Sequence, residues 1–235
     1  MDSRADPLRA GILIGVTVGL VGITFGVLAR SAGLSVAKAC TMSLLVFTGA
    51  SQFAAVGVVG SGGSALAALG AAVLLAARNT LYGPVVGRAV RGPLWSRLVQ
   101  SQLVIDESAG LAAAQPDARS ARRGFLAAGL GVFAFWNLGT LLGALGGDVL
   151  GDTDRFGLDA AFPACFLALL APHLRTLPGR VAALLAGAIA VLAIPFVPVG
   201  VPILLGALAI VPAGALRSHR RTTAMGEAPE GEDGP

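Results

Sequence analysis

The sequence predicts an all-α, polytopic membrane protein of about seven transmembrane segments, arranged as inverted 3+3 repeats with broken helices. Three observations lead there. The 235-residue chain is 55% apolar and only 13% charged, whereas a soluble domain carries about 25% charge. Uncharged apolar runs recur along it at the roughly 20-residue length that crosses a bilayer. The basic residues gather in short loops between those runs. There the formal charge of +4 orients the protein in a membrane rather than binding nucleic acid.

Residues 1–9 form a polar tail, and the transmembrane domain is expected over 10–216. Span 1 covers about 10–29. It is longer than the apolar core of a signal peptide and reads as a retained span. Arg30 to Lys38 makes a short loop, span 2 covers about 39–59, and Ser61-Gly62-Gly63 is a turn. Span 3 starts near 64 and runs cleanly only to Ala77, about 21 Å of helix at 1.5 Å per residue. That is too short to cross unaided, so Leu81 to Val86 completes it as a broken or re-entrant piece.

Residues 88–123 form an arginine-rich, amphipathic connector expected on the cytoplasmic side, its middle, Leu98 to Ala114, suited to the interface. Span 4 follows at about 124–145, then an acidic loop with Asp148, Asp152, Asp154 and Asp159. Span 5 covers about 158–172, interrupted by Pro163. Span 6 covers about 181–194, and Pro195, Pro198 and Pro202 punctuate the run into the last span, 199–216. The polar, acid-ended tail 217–235 is expected to be disordered.

With seven crossings and the N-terminus outside, the inner side receives Arg30, Lys38, six connector arginines, Arg175, Arg180, Arg217, Arg220 and Arg221. The outer side keeps Arg4, Arg9 and Arg155, a ratio of 13 to 3 with Arg78 uncounted. Positive-inside therefore favours N-out and C-in. A span 2 that dips in and returns would change both the count and the side of the N-terminus.

The chain also repeats itself. Gly33-Leu34-Ser35 through Cys40 returns as Gly157-Leu158-Asp159 through Cys165, and Gly22 to Leu28 resembles Gly139 to Leu145. Leu66 to Leu75 resembles Ala182 to Leu192, and a break follows each. Repeat one is thus about 10–87 and repeat two about 124–198. Three spans per copy is an odd number, so the second copy is inverted, which is the sequence mark of secondary transporters.

Span 2 carries Thr48, Gly49, Ser51 and Gln52 where hydrocarbon is expected. They mark either an unwound stretch facing a polar cavity or close small-residue helix packing. The long Gln52 amide, with four hydrogen-bonding sites to satisfy, favours the cavity. Arg78 is costly inside a membrane unless paired or hydrated. It is suited to grip a carboxylate with its planar fork, to pair with Asp106 or Glu107, or to snorkel to the surface. Asn79, Tyr82 and Asn137, with Trp136 beside it, are further candidates to line the cavity. Asp106 and Glu107 suit a gate or proton relay, or a solvated face. Asp159 suits coupling if desolvation raises its pKa, or a helix N-cap, as Ser35 does at the matching place.

Cys40 and Cys165 lie in apolar runs and read as small buried hydrophobes. With His173 and His219 as the only histidines, no metal centre is expected, and no cofactor. There is no Gly-x-Ser-x-Gly and no His-Glu-x-x-His, so the chain does not read as an enzyme.

With GITFGVLARSAGLS, SLLVFTGASQFAAV, ARNTLYG, DES and GLDAAFPACFLALL in that order, the chain resembles the AzlC family over about residues 8–216. TGASQF and LYG are its most specific elements. In the family pattern an Asn sits two residues before the arginine of the LYG segment; here that place is Ala76. The resemblance implies the large subunit of a branched-chain amino acid exporter in the cytoplasmic membrane. It implies a small AzlD-like membrane subunit of about four spans as partner. It also implies export of valine, leucine, isoleucine and methionine, driven by an ion or proton gradient. The residues themselves reach only a secondary transporter of small zwitterions; another metabolite as substrate, or a non-transporting scaffold, stays open.

Overall fold

A computed structural model describes residues 6–150, 167, 170, 171 and 173–209. The chain divides into two compact units, Met1–Pro163 and Ala164–Pro235. Among the described residues every regular element is helical, and three helices are long and apolar enough to cross a membrane: Pro7–Ser31, Ala65–Val86 and Ala118–Gly147. The protein is an all-α polytopic membrane protein. Most of the expected span 5 and residues 210–216 of the last span fall outside the described residues, as do Asp159, Cys165 and His219.

In the first unit, α1 (Pro7–Ser31) opens on Asp6, whose Oδ1 accepts the Leu8 N–H at 3.2 Å, with Pro7 in the first turn, where its missing N–H costs nothing. Gly11, Gly15, Gly19, Gly22 and Gly26 line one face of α1 and are all buried. They let α1 lie directly on α8 (Ala118–Leu150). A methyl group on Gly11 would strike Ala127, on Gly15 Gly131, on Gly19 Phe135, and on Gly26 the Thr140 carbonyl. Hydrocarbon offers helices no hydrophobic drive to associate, so this backbone-to-backbone approach and its dispersion energy hold the pair. Other α1 side chains, Leu8, Leu13 and Leu20 among them, are exposed, as lipid-facing residues are.

The order of those contacts sets the topology. Positions rise together on both helices, from Gly11 against Ala127 to Arg30 against Gly147, so α1 and α8 run parallel. The inverted relation expected between repeat one and repeat two requires spans 1 and 4 to be antiparallel. It does not hold for this pair. The physical reason lies in span 2, which does not cross.

Span 2 is two half-length helices, α2 (Val36–Leu45) and α3 (Ala50–Gly60), each roughly 15 Å long. α2 descends antiparallel to α8: Ser43 bonds Thr140 at 3.1 Å and, one turn on, Phe47 meets Phe133 with ring centroids 5.1 Å apart. Phe53 is then back beside Phe25 and Trp136, at 5.5 and 6.1 Å. The chain has therefore reversed at 46–49, and α2 and α3 form a re-entrant hairpin that enters and leaves on the side where α1 ends.

After the turn at 61–64, Ser64 caps α4 (Ala65–Ala76) by accepting the Ala67 N–H at 3.2 Å. α4 packs on α3 and runs towards the opposite end, through a 3-10 segment, Ala77–Tyr82, and a last turn, α5 (Gly83–Val86). Span 3 is thus broken but complete.

The N-terminus and the 88–117 connector consequently share one end of the unit. This corrects the N-out assignment, which put them on opposite sides. The connector holds α6 (Leu94–Ser101) and α7 (Asp106–Ala113). It does not merely rest on a surface: Leu103, Ala109 and Ala112 form a core with Val86, Ala89, Ala121 and Phe125. Arg88 donates to the carbonyls of Ala112, Ala113 and Gln115, and Arg122 to Ala89 O and Gln100 Oε1. Asp117 caps α8, accepting the Arg119 and Ser120 N–H groups at 2.9 and 3.0 Å, which holds its carboxyl below the usual range. Span 4 therefore starts at 118, a turn and a half before the expected 124.

In the second unit, α9 (Leu177–Ala193) is capped by Thr176 through the Gly179 N–H at 3.2 Å. It starts four residues before the expected span 6. Gly200, at φ 91°, precedes α10 (Val201–Gly206), which packs against α9.

Candidate functional site

The tip of the re-entrant hairpin is built by its sequence. Gly49 has φ 61°, a left-handed conformation that glycine adopts without penalty, and it turns the chain into α3. There a Cβ would have met only the edge of Trp136, 3.8 Å away. Gln52, at the third position of α3, reaches back so that its Oε1 accepts the Gly49 N–H at 3.2 Å. This is the return half of a capping box. The Thr48 and Ser51 hydroxyls bond each other. Below the tip, the carbonyls at the end of α2 have lost their helical partners; Gln102 of the connector supplies them, donating Nε2 to Leu44 O at 3.0 Å and Leu45 O at 3.2 Å.

Around the tip sits an aromatic cage. Phe25 stacks on Trp136 at 5.9 Å and meets Phe53 edge-on at 5.5 Å. Gln52 and Ser51 are 0% and 1% exposed, Trp136 3%. Two donors find no partner here, Gln52 Nε2 and Trp136 Nε1.

On the connector side of the tip lies a cavity of about 670 Å³, within the range of small-molecule sites. Its walls are Val46, Phe47 and Thr48 of the hairpin tip, Asn79, Thr80 and Gly83 of the α4 break, and Arg97, Ser101 and Gln102 of the connector. The two breaks in the chain thus face one space. Asn79 donates Nδ2 to Val104 O at 3.2 Å and keeps Oδ1 unpartnered.

The remaining candidates form a second cluster outside the cavity wall. Arg78 Nη2 lies 3.1 Å from Asp106 Oδ2, and the Tyr82 hydroxyl donates to Asp106 Oδ1 at 2.6 Å. Arg78 is thereby engaged by one of the two acids named for it. Glu107 is half-buried beside this cluster; burial pushes its carboxyl above the usual range, and the Asp106 charge adds to this. Asn137 donates Nδ2 to Phe133 O of its own helix at 2.8 Å, with Oδ1 unpartnered.

So the structure brings Thr48 and Asn79 to one cavity, sets Gly49, Ser51 and Gln52 directly behind Thr48, groups Arg78, Tyr82 and Asp106 apart, and leaves Asn137 on α8. Sequence reasoning missed Gln102, the fully buried Ser43–Thr140 pair, and Ser108, whose hydroxyl accepts the Ile105 N–H at 3.1 Å and holds the turn before α7. A buried amide or hydroxyl in an amphipathic stretch was the available signal. Among the described residues no group of three or more metal-ligating side chains occurs.

These features define a polytopic helical membrane protein with a polar-tipped re-entrant hairpin beside a cavity that the connector also lines. The family profile described as AzlC protein matches residues 13–150, and the chain belongs to the AzlC family. It is 34% identical over 179 residues to an uncharacterized membrane protein of Archaeoglobus fulgidus, covering 74% of this chain and 78% of that one. It is 27% identical over 167 residues to an uncharacterized membrane protein of Helicobacter pylori, covering 70% and 72%. No solved structure matches it. AzlC is a transport-related membrane family rather than an enzyme family.

Proposed function

We propose that the chain is the large subunit of a secondary transporter that exports valine, leucine, isoleucine and methionine across the cytoplasmic membrane, working with a small AzlD-like subunit. The observation that carries the reading is the meeting of two helix breaks, at Val46–Thr48 and at Asn79–Gly83, on one cavity of about 670 Å³. Irregular backbone at membrane depth is tolerated where it lines such a space, and a few polar groups in a largely apolar wall suit a zwitterion with an aliphatic side chain.

Orientation follows from charge. Arg9, Arg88, Arg91, Arg97, Arg119, Arg122 and Arg123 lie at the connector end of the first unit, against Arg30 and Lys38 at the other. Positive-inside makes the connector end cytoplasmic, so the N-terminus is inside and the cavity faces the cytoplasm, where export begins. The Arg78–Asp106–Tyr82 cluster ties the α4 break to the connector and would act as a gate that opens and closes with it, Glu107 titrating beside it.

The test is counterflow of labelled leucine, valine and methionine into liposomes holding the chain and its small partner. Saturable uptake abolished by Thr48→Val or Asn79→Leu is expected. No counterflow of any of the three would end the reading.

A further inference from the structure

We propose that the amino end of α3 is a carboxylate-binding site, made of main-chain N–H groups and Gln52 Nε2 beside the Trp136 indole, with no cation in it. The identity of the carboxylate, that of a transported amino acid, rests on the reading above; the existence of the site does not.

Several donors at this helix end lack acceptors. The first N–H groups of a helix have no intrahelical partner, and those of Ala50 and Ser51 take no hydrogen bond among the described residues. They carry the positive end of the α3 dipole, and α3 is 11 residues long. Gln52 is fully buried. Because its Oε1 already takes the Gly49 N–H, the amide is fixed in orientation and Nε2 is the donor left over. Trp136 Nε1 is likewise buried and unpartnered, and the Cη2 corner of the same indole, on its six-membered ring, is what a Gly49 Cβ would meet, at 3.8 Å. The Thr48 and Ser51 hydroxyls are engaged with each other.

A buried donor left unmade is expensive. A carboxylate satisfies several at once, and helix amino ends accept anions readily. Arg78, the other residue with the chemistry for this task, is held by Asp106 and lies outside the cavity wall. The half-buried Thr48 lies between the α3 end and the cavity, so a ligand in the cavity would meet the donors by passing it. Neutral donors also suit a transporter: they hold the anion without a fixed counter-charge that would resist its release.

The chain has two tryptophans, so Trp95→Phe leaves Trp136 as its only indole. The full-length chain with that change, in nanodiscs, is titrated with isovalerate, with isoamylamine, which carries the same hydrocarbon on an ammonium, and with chloride. A saturable change in Trp136 emission is expected for isovalerate and not for isoamylamine, weakened at least tenfold by Gln52→Met and abolished by Gln52→Glu. No saturable response to isovalerate, a response to chloride alone, or a response surviving both Gln52 changes within twofold overturns the site. Leucine counterflow in the complex, competed by leucine and leucinamide, is read separately. Emission changes without counterflow sink the amino-acid reading and keep the site. Counterflow without emission changes sinks the site and keeps the exporter. Leucinamide is expected to compete at least tenfold more weakly than leucine.

Discussion

Arg78 and Asp106 are bound 3.1 Å apart, joining the break in α4 to the first turn of α7, 28 residues further along the chain. Tyr82 holds the second carboxylate oxygen of Asp106. The three side chains therefore act as one unit. Both members of the ion pair are more than a third exposed, and such pairs contribute roughly 0.2–1 kcal/mol to stability. Arg78→Ala and Asp106→Ala are expected to lower transport by similar factors, and the double change by no more than either alone, while thermal stability shifts little. A double-mutant cycle on counterflow rates checks this: full additivity would mean the two residues work independently.

The reversal at 46–49 predicts sidedness. In a chain with Cys40 and Cys165 replaced, Ala32→Cys and Ser61→Cys should label with an impermeant maleimide from the same side, and Ser96→Cys from the other. A span 2 that crossed would put Ala32 and Ser61 on opposite sides. A reporter on the N-terminus should report the side of Ser96.

How much of this was legible depends on which residues set it. The existence of the breaks was readable, because Thr48, Ser51, Gln52, Arg78 and Asn79 are polar groups that hydrocarbon does not accept. The direction of the chain after the first break was not. It is fixed by Gly49 turning left-handed and by Phe53 finding Phe25 and Trp136, contacts to residues far away in sequence. Once that direction was misjudged, the side of the N-terminus and the sense of the repeat followed it. The cavity wall was half legible: Thr48 and Asn79 were named, while Gln102 was hidden in a connector read as surface. The glycine face of α1 was written at spacings of three and four, and its meaning required its partner, α8.

That glycine face gives the sharpest stability prediction. A methyl on Gly26 or Gly143 would collide with backbone of the facing helix, at Thr140 and Ile23, and backbone cannot rotate away as a side chain can. Gly26→Ala and Gly143→Ala should each cost about 1–3 kcal/mol or more and lower folded yield. Gly146→Ala, on the same α8 but with nothing within 4 Å, should be neutral. Thermal unfolding in detergent separates them, and equal effects at 143 and 146 would contradict the seam.

Gln102 holds two carbonyls that α2 leaves open at its broken end. Gln102→Leu keeps the bulk and removes the donor from Leu44 O and Leu45 O, which belong to exposed residues, at about 0.5–1.5 kcal/mol, the net contribution of an ordinary hydrogen bond. The expected result is faster amide exchange confined to 44–52 with the glycine seam unchanged. Uniform loss of protection across α1 and α8 would instead assign Gln102 to global stability.

Glu107 makes a prediction with a sign. Burial raises its pKa above the ordinary value of 4.5, so the folded protein binds this proton more tightly than the unfolded chain does. Below about pH 4.5 both states are protonated and the site costs nothing. As pH climbs through the interval between the ordinary and the raised value, the folded state keeps a proton that the unfolded chain has released, and stability falls. Above that interval the loss is complete. Glu107→Gln removes the titration while keeping the shape. Its melting temperature should exceed the parent's at neutral pH and converge on it as the buffer is brought down towards pH 4.5. If Glu107 is also the proton-sensitive element of the gate, the same change should flatten the pH dependence of counterflow without abolishing it. A melting difference that grows on acidification would reverse the sign and rule out burial as the cause.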